Sequence, residues 1–331
     1  MPSAQAARFD VLGIGNAIVD VLAPVDEHFI AKHAMRKGSM TLIDAAQAEA
    51  IYAAMPPGQE TSGGCAANTC AAAAGFGARV AYLGRVADDQ LGAVFRHDIA
   101  AAGVHFPTEP LVGGAPTARC MILVTPDGQR TMNTYLGACV AFTTAQVDET
   151  VVAESAVTYL EGYLYDEPDA QAAFRHAAAT AHKAGRKVAL TLSDSFCVDR
   201  HRSAFRDLVR GHVDILFANE GEICALFESN DLADAVERTR ADVALAAITR
   251  GADGSLIVRG AETVEIEAEP TRVVDTTGAG DVYAAGFLAA LTAGRGLPAC
   301  GRLGSIAAAE IISHYGARVQ RDLRSELAKL S

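Results

Sequence analysis

The sequence is short of positive charge. Its 331 residues carry 28 Lys+Arg against 40 Asp+Glu, a formal net charge of −12 at pH 7. Nucleic-acid affinity rests on clustered Lys and Arg, so this balance argues against a phosphate-backbone binder. Long apolar runs are missing as well. The longest, around Gly286–Ala293 and Ser305–Ile312, fall well short of the roughly 18 uncharged residues of a membrane span. Asp10, Asn16 and Asp20 interrupt the first apolar run, so no secretory signal is expected. Seven cysteines (Cys65, Cys70, Cys120, Cys139, Cys197, Cys224 and Cys300) form no C-x-x-C pair and no regular cluster with His partners. That excludes the regular spacing of a disulfide framework or a structural zinc site and suits small buried thiols in a reducing cytoplasm. No period of 20–50 residues repeats and no segment is of low complexity, which sets solenoids aside. Markers of the P-loop, the zincins and the nucleophile elbow are absent. Gly13-Ile-Gly15 opens like a dinucleotide fingerprint, but Ile18 stands where Gly or Ala is needed for close packing, so that reading fails.

What remains is a globular composition, 50% hydrophobic and 21% charged. Length divided by about 150 residues suggests two domains as a soft prior. FDVLGIG (Phe9–Gly15) reads as a buried strand. Thr117–Tyr135 alternates on both sides of a Pro-Asp-Gly turn at Pro126–Gly128, the pattern of a hairpin. From Val157 onward, VTYLEGYL, KVALTLS, VDILFAN, VALAAITRG and GSLIVRG are strand-like, with helices such as Asp169–Ala184 and Glu220–Phe227 between them. Alternating strands and helices predict parallel βαβ units with helices on both faces. Strand-rich insertions near 16–45 and 105–140 either pair into a small separate sheet, able to serve as a lid, or only extend the main one.

Four segments carry chemistry. In Val273–Leu291, Gly278-Ala279-Gly280 leaves backbone N–H groups open just before an apolar helix, a ready anion site. Asp281 at that helix start is either an N-terminal cap or a base beside a bound phosphate. In Ser62–Gly77, Gly63-Gly64 permits close backbone approach and Asn68 offers a donor and an acceptor one turn later; tight helix packing explains the small residues equally well. Asp20 and Glu161 are carboxylates in buried-strand contexts, costly without partners unless solvated at a strand end. Asn219-Glu220-Gly221-Glu222 places polar groups at the carboxyl end of a strand, where open α/β sheets bind ligands.

Taken together these segments resemble the PfkB (ribokinase-like) family of carbohydrate and nucleoside kinases. DTTGAGDVYAAGF matches the family's C-terminal signature and Gly63–Gly92 its N-terminal one, and the order of motifs agrees over roughly residues 9–320. The resemblance implies an α/β fold with a doubly wound, mostly parallel central sheet flanked by helices, as one domain over 1–331 with a β-sheet lid built from 16–45 and 105–140. It implies that Asp281 takes the proton of a primary hydroxyl as that oxygen attacks the γ-phosphate of ATP. The Gly278, Ala279 and Gly280 amides then form the anion hole.

Further roles follow from the same resemblance. Asn219 and Glu222 match the element that organises Mg²⁺, through water. Thr249, Gly251 and Gly254 match a turn lining the nucleotide, and Ser305, Ala308 and His314 flank the adenine. Asp20, Gly63, Gly64 and Asn68 match residues holding sugar hydroxyls, and Glu161 matches a sugar-kinase position. Asp275 matches a loop that binds a monovalent cation such as K⁺. Arg130 matches a cationic lid position that meets the phosphoryl group; its other reading is an exposed hairpin arginine.

GNAIVD, KGSMTLID and RTMNTYLGA look most like the adenosine-kinase branch, which makes a nucleoside the expected acceptor. A sugar kinase for ribose, fructose or a related polyol is the alternative. A ligand-binding regulator without turnover would be expected to lack the acid or the anion hole, and both are present. Tyr135, Tyr163, Tyr165 and Phe142 are the candidates for stacking on a base. The expected partners are a small acceptor and ATP, in a cytoplasmic monomer or homodimer.

Overall fold

The computed structural model describes residues 6–330. In chain order its strands are β1 Phe9–Ile14, β2 Ile18–Pro24, β3 Met40–Leu42, β4 Gln59–Gly63, β5 Val80–Leu83, β6 Val104–His105 and β7 Ala118–Val124. They continue as β8 Arg130–Tyr135, β9 Ser155–Glu161, β10 Lys187–Thr191, β11 Ile215–Asn219, β12 Leu245–Thr249, β13 Ser255–Arg259 and β14 Glu262–Ile266.

Among the described residues they form two sheets. The large one runs β14-β13-β12-β11-β10-β9-β1-β5-β6 and the small one β3-β8-β7-β2-β4. From β6 to β12 every pairing in the large sheet is parallel. Its central strands are largely apolar because both faces are covered, whereas the edge strand β14 is mostly exposed. Val11, Tyr159, Phe217 and Ala247 enter one core, whereas Leu12, Leu160, Leu216 and Ile248 enter the other. This period-2 division lets short apolar runs act as central strands.

The last two strands depart from the parallel expectation: β12, β13 and β14 pair antiparallel. Residues 250–254 between β12 and β13 are too few for a crossover, which needs a dozen or more. The small sheet also differs from the expected insertions. It recruits β4, outside 16–45, and β6 at the start of the second insertion joins the large sheet instead. QETSG in β4 has no apolar pattern; backbone pairing with β2 makes it a strand. VTYLEGYL stays extended only to Glu161, after which residues 162–166 turn as a short 3₁₀ segment.

The helix Ala279–Thr292 is buried continuously from residue 282 to 290. It lies between the helices Cys65–Gly75 and Leu297–Ile311, which explains why its sequence is apolar all round. No described helix is long and apolar enough to cross a membrane.

Candidate active site

The site begins at the turn before the helix Ala279–Thr292. Gly278 has φ +77°, a left-handed conformation natural to glycine, and stands at the N-cap with no side chain closing the helix. The cap reading of Asp281 therefore fails. Its Oδ2 instead accepts a 3.2 Å hydrogen bond from Asn68 Nδ2, and its backbone carbonyl accepts one from Thr69 Oγ1 at 3.1 Å. Burial pushes the Asp281 carboxyl up to about 6, against the lowering effect of Asn68, Cys65 and Arg318. Of the three expected anion-hole amides, Ala279 N already donates to Thr276 O at 3.2 Å. Gly278 and Gly280 are left to offer theirs.

Asp20 sits on β2 in register with Thr61 of β4. Burial raises its carboxyl to about 6, with Arg318 and Arg130 opposing and Asp281 adding to the rise. Gly63 is required by this approach, because a Cβ there would lie 2.3 Å from Asp20 Oδ2. Gly64, φ +95°, is required by the next one: its Cβ would lie 2.1 Å from Asn16 O. Asp20, Gly63, Gly64, Asn68 and Asp281 thus form one cluster where β2, β4 and two helix N-termini meet.

Glu161 does not stand free to meet a ligand, contrary to expectation. It is 1% exposed. Its Oε1 accepts from Asn16 N and Nδ2 at 3.3 and 3.0 Å, and its Oε2 from Ala66 N at 2.8 Å. Burial still lifts it to about 7. Its visible work is to tie the Asn16 turn to the start of the helix Cys65–Gly75.

Arg130 and Asp275 meet directly, Nη1 to Oδ2 at 2.6 Å, with side chains 8% and 10% exposed. The exposed-hairpin reading of Arg130 therefore fails. The guanidinium also lies 5.4 Å from the Tyr315 ring centroid. Its Nε and Nη2 are buried without hydrogen-bond partners, a costly state that an incoming phosphate oxygen would relieve. Asp275 Oδ1 accepts from Thr277 N and Oγ1 at 3.2 and 2.8 Å. Oδ2 faces Arg130 as an ion pair but makes no hydrogen bond, so the carboxylate's charge is balanced by the guanidinium while acceptor sites remain on the oxygen.

Asn219 and Glu222 close a reciprocal capping box at the start of the helix Glu220–Phe227. Asn219 Oδ1 accepts from Glu222 N at 2.9 Å, and Glu222 Oε2 and Oε1 accept from Asn219 N and Nδ2 at 2.9 and 2.6 Å. Burial lifts Glu222 to about 7, with Asp194 and Asp281 adding to it. Among the described residues no group of three or more His, Cys, Asp or Glu could hold a metal. Each side chain of the pair spends its polar atoms on the other, so a Mg²⁺ here would be met through its own waters.

Asn219 is in register with Thr249, which brings the capping box beside the Gly251–Gly254 turn. Ser305 is occupied by backbone, donating to Glu267 O at 3.0 Å and accepting from Glu269 N at 2.8 Å. Ala308 packs on the apolar core. A cavity of about 610 Å³ lies against the helix Leu297–Ile311, bordered by Glu269, Ile306, Glu310 and His314. Of the three expected adenine neighbours, His314 alone borders it.

Among the aromatic candidates Phe142 and Tyr165 are fully buried, and Tyr135 packs in the small-sheet core with Ile51 and Met121. Tyr163 remains half-buried, its phenol raised by burial and by Cys65, Asp194, Glu222 and Asp281. Motif reasoning missed Arg318. Its Nη1 donates to Asn68 Oδ1 at 2.8 Å, and its Nη2 to Ser62 Oγ at 2.5 Å and to Ser62 O. It lies 250 positions from Asn68, so no local spacing announces it.

A mostly parallel α/β sheet, an open glycine turn on a helix N-terminus and a raised carboxyl beside it define a phosphotransferase of the ribokinase-like fold. The chain belongs to the pfkB family of carbohydrate kinases, whose model matches residues 38–322, and is a phosphotransferase with an alcohol group as acceptor. The solved adenosine kinase of Sinorhizobium meliloti is 52% identical, with a TM-score of 0.90 over 98% of this chain and 100% of that one. A probable sugar kinase from Rhizobium etli CFN 42 is 48% identical, with a TM-score of 0.90 over 98% of each chain. Adenosine kinase of Saccharomyces cerevisiae is 28% identical over 92% of this chain and 94% of its own length.

Proposed function

We propose that this protein transfers the γ-phosphate of ATP to the 5′-hydroxyl of a nucleoside, adenosine foremost. The observation that carries the reading is Asp281: held by Asn68 at an uncapped helix N-terminus, with its carboxyl at about 6, it is free to act as a base near neutral pH. In this scheme the acceptor lies between Asp20, Gly63 and Asn68. Asp281 takes the hydroxyl proton as the hydroxyl oxygen bonds to the γ-phosphorus, and the bond to the β-phosphate oxygen breaks to leave ADP. The Gly278 and Gly280 amides and the unpaired donors of Arg130 receive the charge on the transferring group. Mg²⁺, held through water by Asn219 and Glu222, neutralises phosphate charge when bound.

Kinship with the 52% identical adenosine kinase and the half-buried Tyr163 near Asp281 favour a nucleoside. The Rhizobium etli protein favours the second reading, a sugar kinase. The test is ADP release from Mg-ATP across nucleosides and sugars, with Asp281→Asn as control. That variant is expected to lose about 10²–10⁴-fold in kcat. Full activity in the variant would sink the mechanism, and turnover of ribose or fructose but no nucleoside would establish the second reading.

A further inference from the structure

Arg318 follows the helix Leu297–Ile311 and belongs to none of the motifs, yet it reaches the centre of the site. An arginine has only donors and an ionised carboxylate only acceptors. Asn68 lies between one of each, with Oδ1 on Arg318 Nη1 at 2.8 Å and Nδ2 on Asp281 Oδ2 at 3.2 Å. Its amide can satisfy both neighbours in one orientation only. The other arm of the guanidinium is fixed on Ser62 Oγ and O, and Asp98 Oδ2 lies 3.9 Å away. The arginine is thus anchored on β4, the strand that ends in Gly63.

We propose that Arg318 is a positioning residue for phosphoryl transfer, which clamps Asn68 Oδ1 and so keeps the amide nitrogen turned toward Asp281 and the acceptor hydroxyls. The proposal rests on the kinase reading above. Two consequences follow from the chemistry. Asn68 presents a donor to its ligand, so the ligand atom it meets is an acceptor oxygen. Arg318 also supplies the positive charge that opposes the upward shift of Asp281 and Asp20. The other groups facing Asp281 are Cys65 on the helix Cys65–Gly75, Asp20 on β2, and Tyr159 and Glu161 on β9. Tyr163 follows them, with Glu222 on the helix Glu220–Phe227.

The test compares Arg318→Met, Arg318→Lys, Asn68→Ala and the Met/Ala double variant. Arg318→Met is expected to lower kcat about 10–100-fold with little change in KM for ATP. It should move the acid limb of kcat/KM up by about half a unit to one unit. Arg318→Lys keeps the charge but not the planar fork, so the limb should stay in place while kcat recovers only in part. In the Asn68→Ala background, removal of Arg318 should add little to the loss in kcat, because the residue it acts through is gone. Losses that multiply in the double variant overturn the proposal. The Asp281 carboxyl can also be titrated by ¹³C NMR, assigned by its disappearance in Asp281→Asn. An unmoved titration in Arg318→Met overturns the role of Arg318 whatever the activity. A wild-type protein silent with every acceptor overturns the kinase reading instead.

Discussion

Arg130 of the small sheet and Asp275 of the loop before the anion turn form a buried ion pair, Nη1 to Oδ2 at 2.6 Å. The contact joins the β7–β8 hairpin to the loop that leads into the Gly278–Gly280 turn, with Tyr315 beneath the guanidinium. Breaking a buried pair by removing one partner costs about 3–5 kcal/mol, because the other charge is left unpaired. Here the pair is also incomplete, since Arg130 Nε and Nη2 have no partner. A phosphate would complete it.

Arg130→Ala is therefore expected to lower kcat about 10²–10³-fold while protection against heat by the nucleoside changes much less. The same variant and Asp275→Ala should both speed proteolytic cutting at Pro126–Gly128, since each frees the hairpin. Full turnover in Arg130→Ala, measured by ADP release, would remove Arg130 from the mechanism.

The pH dependence of activity follows from Asp281 and Asp20, both raised to about 6 by burial. A base must be ionised to accept a proton, so kcat/KM should be full above this value and fall as pH drops through it. Because both carboxylates must be ionised, the limb should approach a slope of two protons well below these values, its two steps belonging to the pair and spread apart by their mutual repulsion. Asp20→Asn should reduce it to a single-proton slope, with a raised KM for the acceptor. A profile flat from pH 5 to 8 would show that neither carboxyl governs the reaction.

The parts of this site that could be read in advance are those in which chemistry and local backbone coincide. Gly278–Asp281 combines an open turn, a helix start and an acid within four residues. Gly63, Gly64 and Asn68 likewise share one helix entry. In the large sheet β1 and β9 to β13 were legible because apolar runs leave few other states, whereas β5, the two-residue β6 and the polar-faced β14 were not read. Arg318 was not, since its partners Ser62 and Asn68 reach it only after the sheets and helices have docked. Nor was β4, whose polar QETSG becomes a strand through pairing alone. Glu161 was noticed for the right reason, a carboxylate in an apolar strand. Its partners, the Asn16 turn and Ala66 N, are contributed by distant segments.

That buried carboxylate also bears on stability. Glu161 rises to about 7, Glu222 to about 7, and Asp20 and Asp281 to about 6, each above its unfolded value. The folded state therefore holds protons that the unfolded chain has released. These groups contribute stability that is full below about pH 4 and is lost as pH rises through 6 to 7. Asp10, Asp89 and Asp214 are shifted down and act at lower pH. Scanning calorimetry should find Tm falling by several degrees between pH 5 and pH 8. Glu161→Gln resembles the protonated acid in having one donor and one acceptor end, so it should lie close to the wild type at pH 5 and show a flatter profile above it. A wild-type Tm that climbs from pH 5 to 8 would contradict this account.

Tyr163, which lies past the end of β9 and faces Asp281, Cys65 and Glu222, offers a test of the acceptor's class. Its backbone N–H is held by Ser193 Oγ at 3.3 Å, which fixes the loop without using the phenol. A ring stacked on a base contributes about 1–3 kcal/mol, whereas a sugar without a base gains nothing from it. Tyr163→Ala should therefore raise KM for adenosine about 10–100-fold and leave KM for ATP near its original value. Tyr163→Phe should keep most of the affinity, since stacking needs the ring and not the hydroxyl. If adenosine turns over in the wild type and its KM is unchanged in Tyr163→Ala, the base is bound elsewhere. If the only acceptor is a free sugar, the same variant should be indifferent, and the two outcomes separate the nucleoside kinase from the sugar kinase in one series of measurements.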